Sequence, residues 1–390
     1  MHEAVRPFQA QLPVRIAFGD GVLGQLPAVL DGLGAMAVLV VVEAPVAEHP
    51  GVSAALDAAA RGGRRLDRVV KQPGEPTLDQ ADELARRVRD GGLDAVVGIG
   101  GGSALDIAKA ARVLADQGVS ARELLDGAAP GVPQLPLVLC PTTSGTGSEV
   151  SGASVLTDAA RDRKTGFGHP NMRAQHALVD PLLTHGLPPG ATAHTGIDAL
   201  AQAIGACTVS NSNPLSVAMG LEAVHHLGAA LADAVRDGAD AAARRQVACG
   251  SLMAGLAMNL ADCAADHALA QAIGSVEHLP HGLTVGLVLA ETLDISRVDR
   301  AERLERVANA LGEPFDETSD GSRAVRAVRR LLRDVGFPTL REAGVDEQDV
   351  PRLVDAALEE QAFFLDNDCH GWTRGDVERA FREALALSRR

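Results

Sequence analysis

Five side chains of this chain have the types and spacing of a metal site: Asp198, Gln202, His267, Gln271 and His281. Asp198 and Gln202 are four apart within TGIDALAQAIGA, and His267 and Gln271 are four apart within ADHALAQAIG. Residues at that spacing share one face of a helix, so each segment presents two polar groups side by side. His281 stands between Pro280 and Gly282, the surroundings of a helix start or a turn. One carboxylate and two imidazoles suffice for a catalytic zinc-type site with an open position. The Gln202 amide oxygen is neutral and a weak ligand beside imidazole. Gln271 cannot titrate near neutral pH, so it can orient a substrate but cannot carry a proton.

Two further strings have the chemistry of a dinucleotide site. Gly100-Gly101-Gly102-Ser103 runs into Ala-Leu-Asp106-Ile-Ala-Lys109, between an expected strand and an expected helix. Glycines let the backbone approach a pyrophosphate, and a helix N-terminus offers it free N–H groups. The spacing is not that of the G-x-G-x-x-G fingerprint, and a glycine turn with a serine N-cap is the structural alternative. The second string, Pro141-Thr142-Thr143-Ser144-Gly145-Thr146-Gly147-Ser148-Glu149, supplies hydroxyls and loop amides suited to phosphate and carboxamide groups. Its alternative is a capping loop in which Ser148 starts a helix.

The elements that must position these groups are legible from periodicity. Ala37–Glu43, Ala95–Ile99, Leu135–Cys140 and Ala177–Val179 read as strands; Leu78–Asp90 and Ser103–Leu114 read as helices. Strands alternating with helices imply a parallel sheet with crossover helices. Beyond Leu187-Pro188-Pro189-Gly190 the chain is Ala/Leu-rich with helical periodicity. The expected division is therefore an α/β dinucleotide-binding domain over 1–187 and an all-α metal and substrate domain over 188–390.

Composition narrows the function. The 390 residues carry a net charge of -15, the wrong sign for a nucleic-acid surface. No apolar run is expected to span a membrane, and the first residues lack the apolar core of a signal peptide. Five cysteines with no CxxC fit reduced thiols and a cytoplasmic location. There is no tyrosine, which removes any tyrosine general acid.

GGGSALDIAK and PTTSGTGSE, in this order and spacing, resemble the iron-containing (group III) alcohol dehydrogenase family. TGIDAL, LPHG, Phe18-Gly19, Val179-Asp180-Pro181 and Gly336-Phe337-Pro338-Thr339 extend the resemblance over nearly the whole chain. It implies the dehydroquinate-synthase-like architecture of that family, with metal and nicotinamide meeting between an α/β and a helical domain. It places Gly100, Gly101, Gly102, Ser103 and Asp106 at the cofactor, with Thr142, Thr143, Thr146 and Lys164 on the phosphate and nicotinamide side. Glu43 falls where the family often has aspartate. A carboxylate there can bond the ribose hydroxyls and repel a 2′-phosphate, which implies NAD rather than NADP.

For the metal the resemblance implies Asp198, His267 and His281 as ligands. Gln202 stands in place of the family's further histidine. With one imidazole fewer, zinc becomes as reasonable a divalent metal as iron. Gln271 replaces a family histidine that is a candidate proton relay, and His278 is the nearest other donor in sequence. The implied reaction is metal-assisted hydride transfer between an alcohol and NAD(H), that is, an alcohol dehydrogenase or an aldehyde or ketone reductase. Competing readings are a maleylacetate-reductase-like enzyme, a dehydroquinate-synthase-like lyase and a catalytically silent nucleotide-binding relative. The altered polar groups suggest an uncommon small alcohol or aldehyde, from a specialised biosynthetic pathway, and relatives suggest a homodimer or larger homo-oligomer.

Overall fold

The computed structural model describes residues 6–161 and 163–387. They form two compact units, one of residues 12–143 and 147–186, the other of residues up to 11 together with 144–146 and those from 187 onward.

The first unit is built on a six-stranded sheet. Its strands are β1 (Arg15–Phe18), β2 (Ala37–Glu43), β3 (Arg65–Lys71), β4 (Ala95–Gly100) and β5 (Leu137–Pro141), with β8 (His176–Val179) entering after a separate antiparallel hairpin of β6 (Ala153–Asp158) and β7 (Arg163–Gly168). The order is β1-β8-β5-β4-β2-β3, and every pair in it is parallel. Side chains alternate across a strand. Val38, Val40 and Val42 of β2 therefore join Leu26, Val52 and Val97 in one core cluster, while Leu39 and Val41 join Leu84, Leu105 and Leu139 in another. With both faces covered, β2, β4 and β5 must be apolar throughout, which is why they read as unbroken hydrophobic runs.

The covering helices are α1 (Leu26–Gly32), α2 (Pro50–Ala60), α3 (Leu78–Asp90), α4 (Gly102–Gln117) and the short α5 (Ala121–Leu125). From β2 the chain steps outward to β3 and then returns to β4 on the other side of β2. The strand order reverses there, and ligands of such sheets bind beyond the carboxyl ends of the strands at that point. Glu43 ends β2 and Gly100 ends β4.

The second unit is helical: α6 (Pro189–Thr208), α7 (Pro214–Arg236), α8 (Ala241–Ala261), α9 (Ala265–Glu277), α10 (His281–Ser296), α11 (Ala301–Ala310), α12 (Ser322–Asp334), α13 (Val350–Glu360), α14 (Ala362–Asn367) and α15 (Arg374–Ala386). Ile197, Leu200, Leu227, Val285 and Leu289 pack in its main core. Between α8 and α9 the chain bends by 103° at Asp262, whose φ of 73° is unusual for a residue other than glycine. Contrary to the expectation from sequence, one helix among the described residues, α7, is long and apolar enough for a membrane span, with 23 residues and a mean hydropathy of 1.3. Its Ala223, Val224, Leu227 and Leu231 are instead interior residues of this core. All five cysteines are free thiols.

Candidate metal and cofactor sites

Asp198, His267 and His281 come together from three different helices of the helical unit. One ligand atom of each lies within 4.8 Å of the others. Asp198 sits mid-helix in α6, on a stretch buried without interruption from Gly196 to Thr208. His267 lies in the first turn of α9, immediately beyond the bend. His281 opens α10, with Pro280 at the N-cap. A close approach makes this possible: a Cβ on Gly286 of α10 would lie 2.3 Å from the Phe337 ring and 2.9 Å from Ile197 of α6. Only glycine lets α10 come that near to the helix that carries Asp198.

Three buried polar atoms at this point lack hydrogen-bond partners. Asp198 Oδ1 is 3.5 Å from His267 Nε2 and 3.7 Å from His281 Nε2, gaps too long for good hydrogen bonds. Asp198 Oδ1, Gln202 Oε1 and His267 Nε2 are all buried without a hydrogen-bond partner. Leaving three such atoms unpaired in one place costs roughly 1–3 kcal/mol each, and a cation satisfies all of them together. The donor set of carboxylate, imidazoles and amide oxygen thus fits a divalent metal.

Charge reinforces the geometry. Burial alone would raise the Asp198 carboxyl, but His281, His267 and the Gln202 amide outweigh it and hold it below the ordinary carboxylate range. Burial alone would lower His267; Cys263, Asp266 and Asp198 together push it well above the ordinary imidazole value. Either way the pocket favours positive charge beside Asp198.

Sequence reasoning missed Asp266. Its Oδ2 lies 2.9 Å from His267 Nδ1. A proton on Nδ1 donated to this carboxylate leaves Nε2 as a bare lone pair facing Asp198, the arrangement by which carboxylates orient metal-binding histidines. The DH pair was visible in ADHALAQ, but adjacent residues on a helix do not ordinarily face each other. The first-turn position beyond the bend is what lets them meet.

The remaining histidines and glutamines separate by position. Gln202 is buried one turn beyond Asp198, and its amide helps to hold the Asp198 carboxyl low. Gln271 is half-buried one turn beyond His267. His278 is exposed, in a left-handed conformation (φ 54°) that terminates α9, and it does not join the cluster. Sequence proximity was its only claim, and chain reversal after α9 turns it to solvent. His194 stands one turn before Asp198 and packs edge-on against Phe337 at 5.3 Å. His226 is engaged by Glu222 and Gln246, so the His225-His226 pair is a surface feature of α7 and α8.

In the sheet unit the cofactor strings meet at the strand ends. Glu43 Oε2 accepts the N–H of Gly101 at 2.8 Å, so the carboxylate caps the glycine loop as well as standing beside it. A Cβ on Gly100 would lie 2.6 Å from that of Ala104 and 2.8 Å from that of Glu43, which excludes any other residue there without moving α4. Gly102 and Ser103 form the first turn of α4, where their N–H groups lack intrahelical partners. Thr142 N donates to Gly100 O at 3.0 Å, and the Thr143 side chain lies against Gly101. The segment with Thr146 clusters with the helical unit; a Cβ on Gly145 would lie 2.7 Å from that of Thr195. Lys164 Nζ is 3.0 Å from Glu75, which occupies its charge within the hairpin region.

Asp106 differs from its expected place at the cofactor. Its carboxylate points inward and is filled by Ser148 Oγ at 2.6 Å, Val155 N at 2.9 Å and Lys109 at 3.0 Å. The resemblance implies a ligand contact here; the side chain faces β6 instead.

A parallel sheet with a glycine loop at its switch point, and a helical unit with an Asp/His metal cluster, define a nicotinamide-dependent metal oxidoreductase. Residues 13–181 match the family model for iron-containing alcohol dehydrogenase, and residues 192–385 match that for the C-terminal region of the Fe-containing alcohol dehydrogenase family. The chain belongs to the iron-containing alcohol dehydrogenase family. It is 35% identical over 351 residues to long-chain-alcohol dehydrogenase 1 of Geobacillus thermodenitrificans, covering 88% of each chain. A crystal structure of 1,3-propanediol oxidoreductase superposes with a TM-score of 0.91 at 27% identity, over 97% of this chain and all (100%) of that one. Sulfoacetaldehyde reductase from Bifidobacterium kashiwanohense, solved with NAD+, gives 0.90 at 25% identity, over 98% of this chain and 100% of that one.

Proposed function

We propose that this alcohol dehydrogenase interconverts a small alcohol and its aldehyde or ketone using NAD(H), with Asp198, His267, His281 and Gln202 holding a divalent metal. The observation that carries the reading is the convergence of unpaired buried atoms from Asp198, Gln202 and His267 beside His281. When bound, NAD supplies the hydride carrier and the metal a Lewis acid for the substrate oxygen. Iron is the metal of the family; the amide of Gln202 in place of an imidazole makes zinc equally suited.

The chain's own groups do the rest. Asp266 fixes the tautomer of His267, and Asp198 gives the site its negative charge. Gln271, on the His267 face of α9, orients the substrate by hydrogen bonds, since it cannot hold a proton in transit. Gly100 to Ser103 receive the pyrophosphate on the first turn of α4, with Thr142 and Thr143 as hydroxyl donors. Glu43 has Oε2 engaged by Gly101, and its other oxygen serves the ribose hydroxyls, which favours NAD over NADP.

Purified protein, loaded separately with zinc and with ferrous iron, should bind NADH and oxidise it in the presence of some member of a panel of small aldehydes. Absence of both binding and turnover, with either metal, refutes the proposal. His267→Ala should lose metal by elemental analysis and activity together; full activity without metal removes His267, and the metal, from the reaction.

A further inference from the structure

Lys109 is fully buried, and lysine is rarely buried without partners. It lies on α4 two turns beyond the glycine loop. Its ammonium stands 3.0 Å from Asp106 Oδ1 and donates to Ser148 O at 3.1 Å, to the Ser151 hydroxyl at 3.2 Å and to Ala153 O. All three acceptors belong to the chain that leaves the hydroxyl-rich loop. Asp106 ties the same chain: its carboxylate accepts from Ser148 Oγ and Val155 N, and its main-chain oxygen accepts from Ser154 Oγ at 3.0 Å. At its other end the loop is fixed to the glycine loop through Thr142 N and the Thr143 side chain. The segment between is an arch with both feet on the glycine loop and its helix.

We propose that Lys109 and Asp106 are positioning residues for the dinucleotide, holding the hydroxyl loop in register with the glycine loop so that both meet one ligand. This rests on the reading of those two loops as the NAD site. Neither side chain needs to touch the ligand; Lys109 is wholly enclosed. Removing the ammonium leaves the Ser148 and Ala153 carbonyls and the Asp106 carboxylate short of a partner in a buried place. The foot of the arch at 148–155 then loosens, and the donors of Thr142 and Thr143 lose their register with the amides of Gly101 to Ser103. Displacements of this kind, on the order of 1 Å, cost up to about a hundredfold when they misplace groups that must act together.

The test is NADH titration by fluorescence on wild type, Lys109→Met, Asp106→Asn and Thr143→Val, with amide hydrogen exchange on the same samples. Lys109→Met and Asp106→Asn should weaken NADH binding by about tenfold or more and raise KM for NAD more than they lower kcat. Exchange should quicken in 142–155 while α6 to α10 behave as in wild type. If Thr143→Val weakens binding but both positioning variants bind NADH like wild type well below their unfolding temperatures, the positioning role is overturned and the loop reading stands. If all three variants bind like wild type, the loops are not the NAD site and both fall. Should Lys109→Met fail to fold, Asp106→Asn, which keeps the side-chain shape and removes its charge, carries the same test.

Discussion

The Nδ1 of His267 lies 2.9 Å from the carboxylate of Asp266, its neighbour in the chain, and this contact turns Nε2 toward Asp198. The face that we propose for the metal is thereby set by the neighbouring carboxylate. Asp266→Asn keeps the shape and weakens the anchor, so metal affinity should fall by about ten- to a hundredfold. Competition with a chromophoric chelator measures it. Unchanged affinity would mean that the helix alone orients the imidazole.

Gln202 is the weak member of the donor set. Gln202→His exchanges a neutral amide for an imidazole at the same helical position, and should slow metal loss to a chelator by about tenfold or more, the scale of one added strong ligand. Gln202→Ala should speed it. If neither variant alters retention, the amide serves only to hold the Asp198 carboxyl low.

Glu149 gives the fold a pH dependence. Burial pushes its carboxyl from an ordinary 4.5 to about 7, with Lys109 pulling part of the way back. Below the lower value both folded and unfolded chains hold the proton, so nothing is lost. Between the two values the unfolded chain releases its proton and the folded chain keeps it. Stability therefore falls as pH rises, by a total on the order of 3 kcal/mol, and is level above the upper value. Glu149→Gln should flatten this segment of the denaturation-midpoint profile; an unaltered slope would assign it to other groups.

Gly286 lets α10 reach α6. Gly286→Ala places a methyl 2.3 Å from the Phe337 ring and 2.9 Å from Ile197. Overpacking of this kind costs about 1–3 kcal/mol, so the thermal midpoint should drop, and His281 should shift away from Asp198. A crystal structure of the variant with unmoved helices would contradict this.

Glu43→Ala removes the acceptor of the Gly101 N–H and the carboxylate proposed to meet the ribose. Its loss should cost NADH affinity about 1.5–3 kcal/mol, the scale of a hydrogen bond to a charged group, and narrow the NAD to NADP preference. The ratio of kcat/KM for the two cofactors reports it. A ratio as large as in wild type would place the selectivity elsewhere.

Sequence patterning determined a good deal. The apolar runs of β2, β4 and β5 announce a sheet covered on both faces, because only such strands are apolar at every position. The i,i+4 spacings of Asp198 with Gln202 and of His267 with Gln271 define shared helix faces by geometry alone. Edge strands were silent: β3 (RLDRVVK) has a single neighbour and mixed exposure, so it shows no unbroken run, and β1 is short. Tertiary structure decided which faces meet. Periodicity fixes the direction of a side chain relative to its own helix, never the partner that it finds. Only the packing of α6, α9 and α10 joins Asp198 to His267 and His281, and only the fold of β6 over α4 turns Asp106 inward to Ser148 and Lys109. His278, near His281 in sequence, is carried to solvent by the left-handed end of α9, for the same reason.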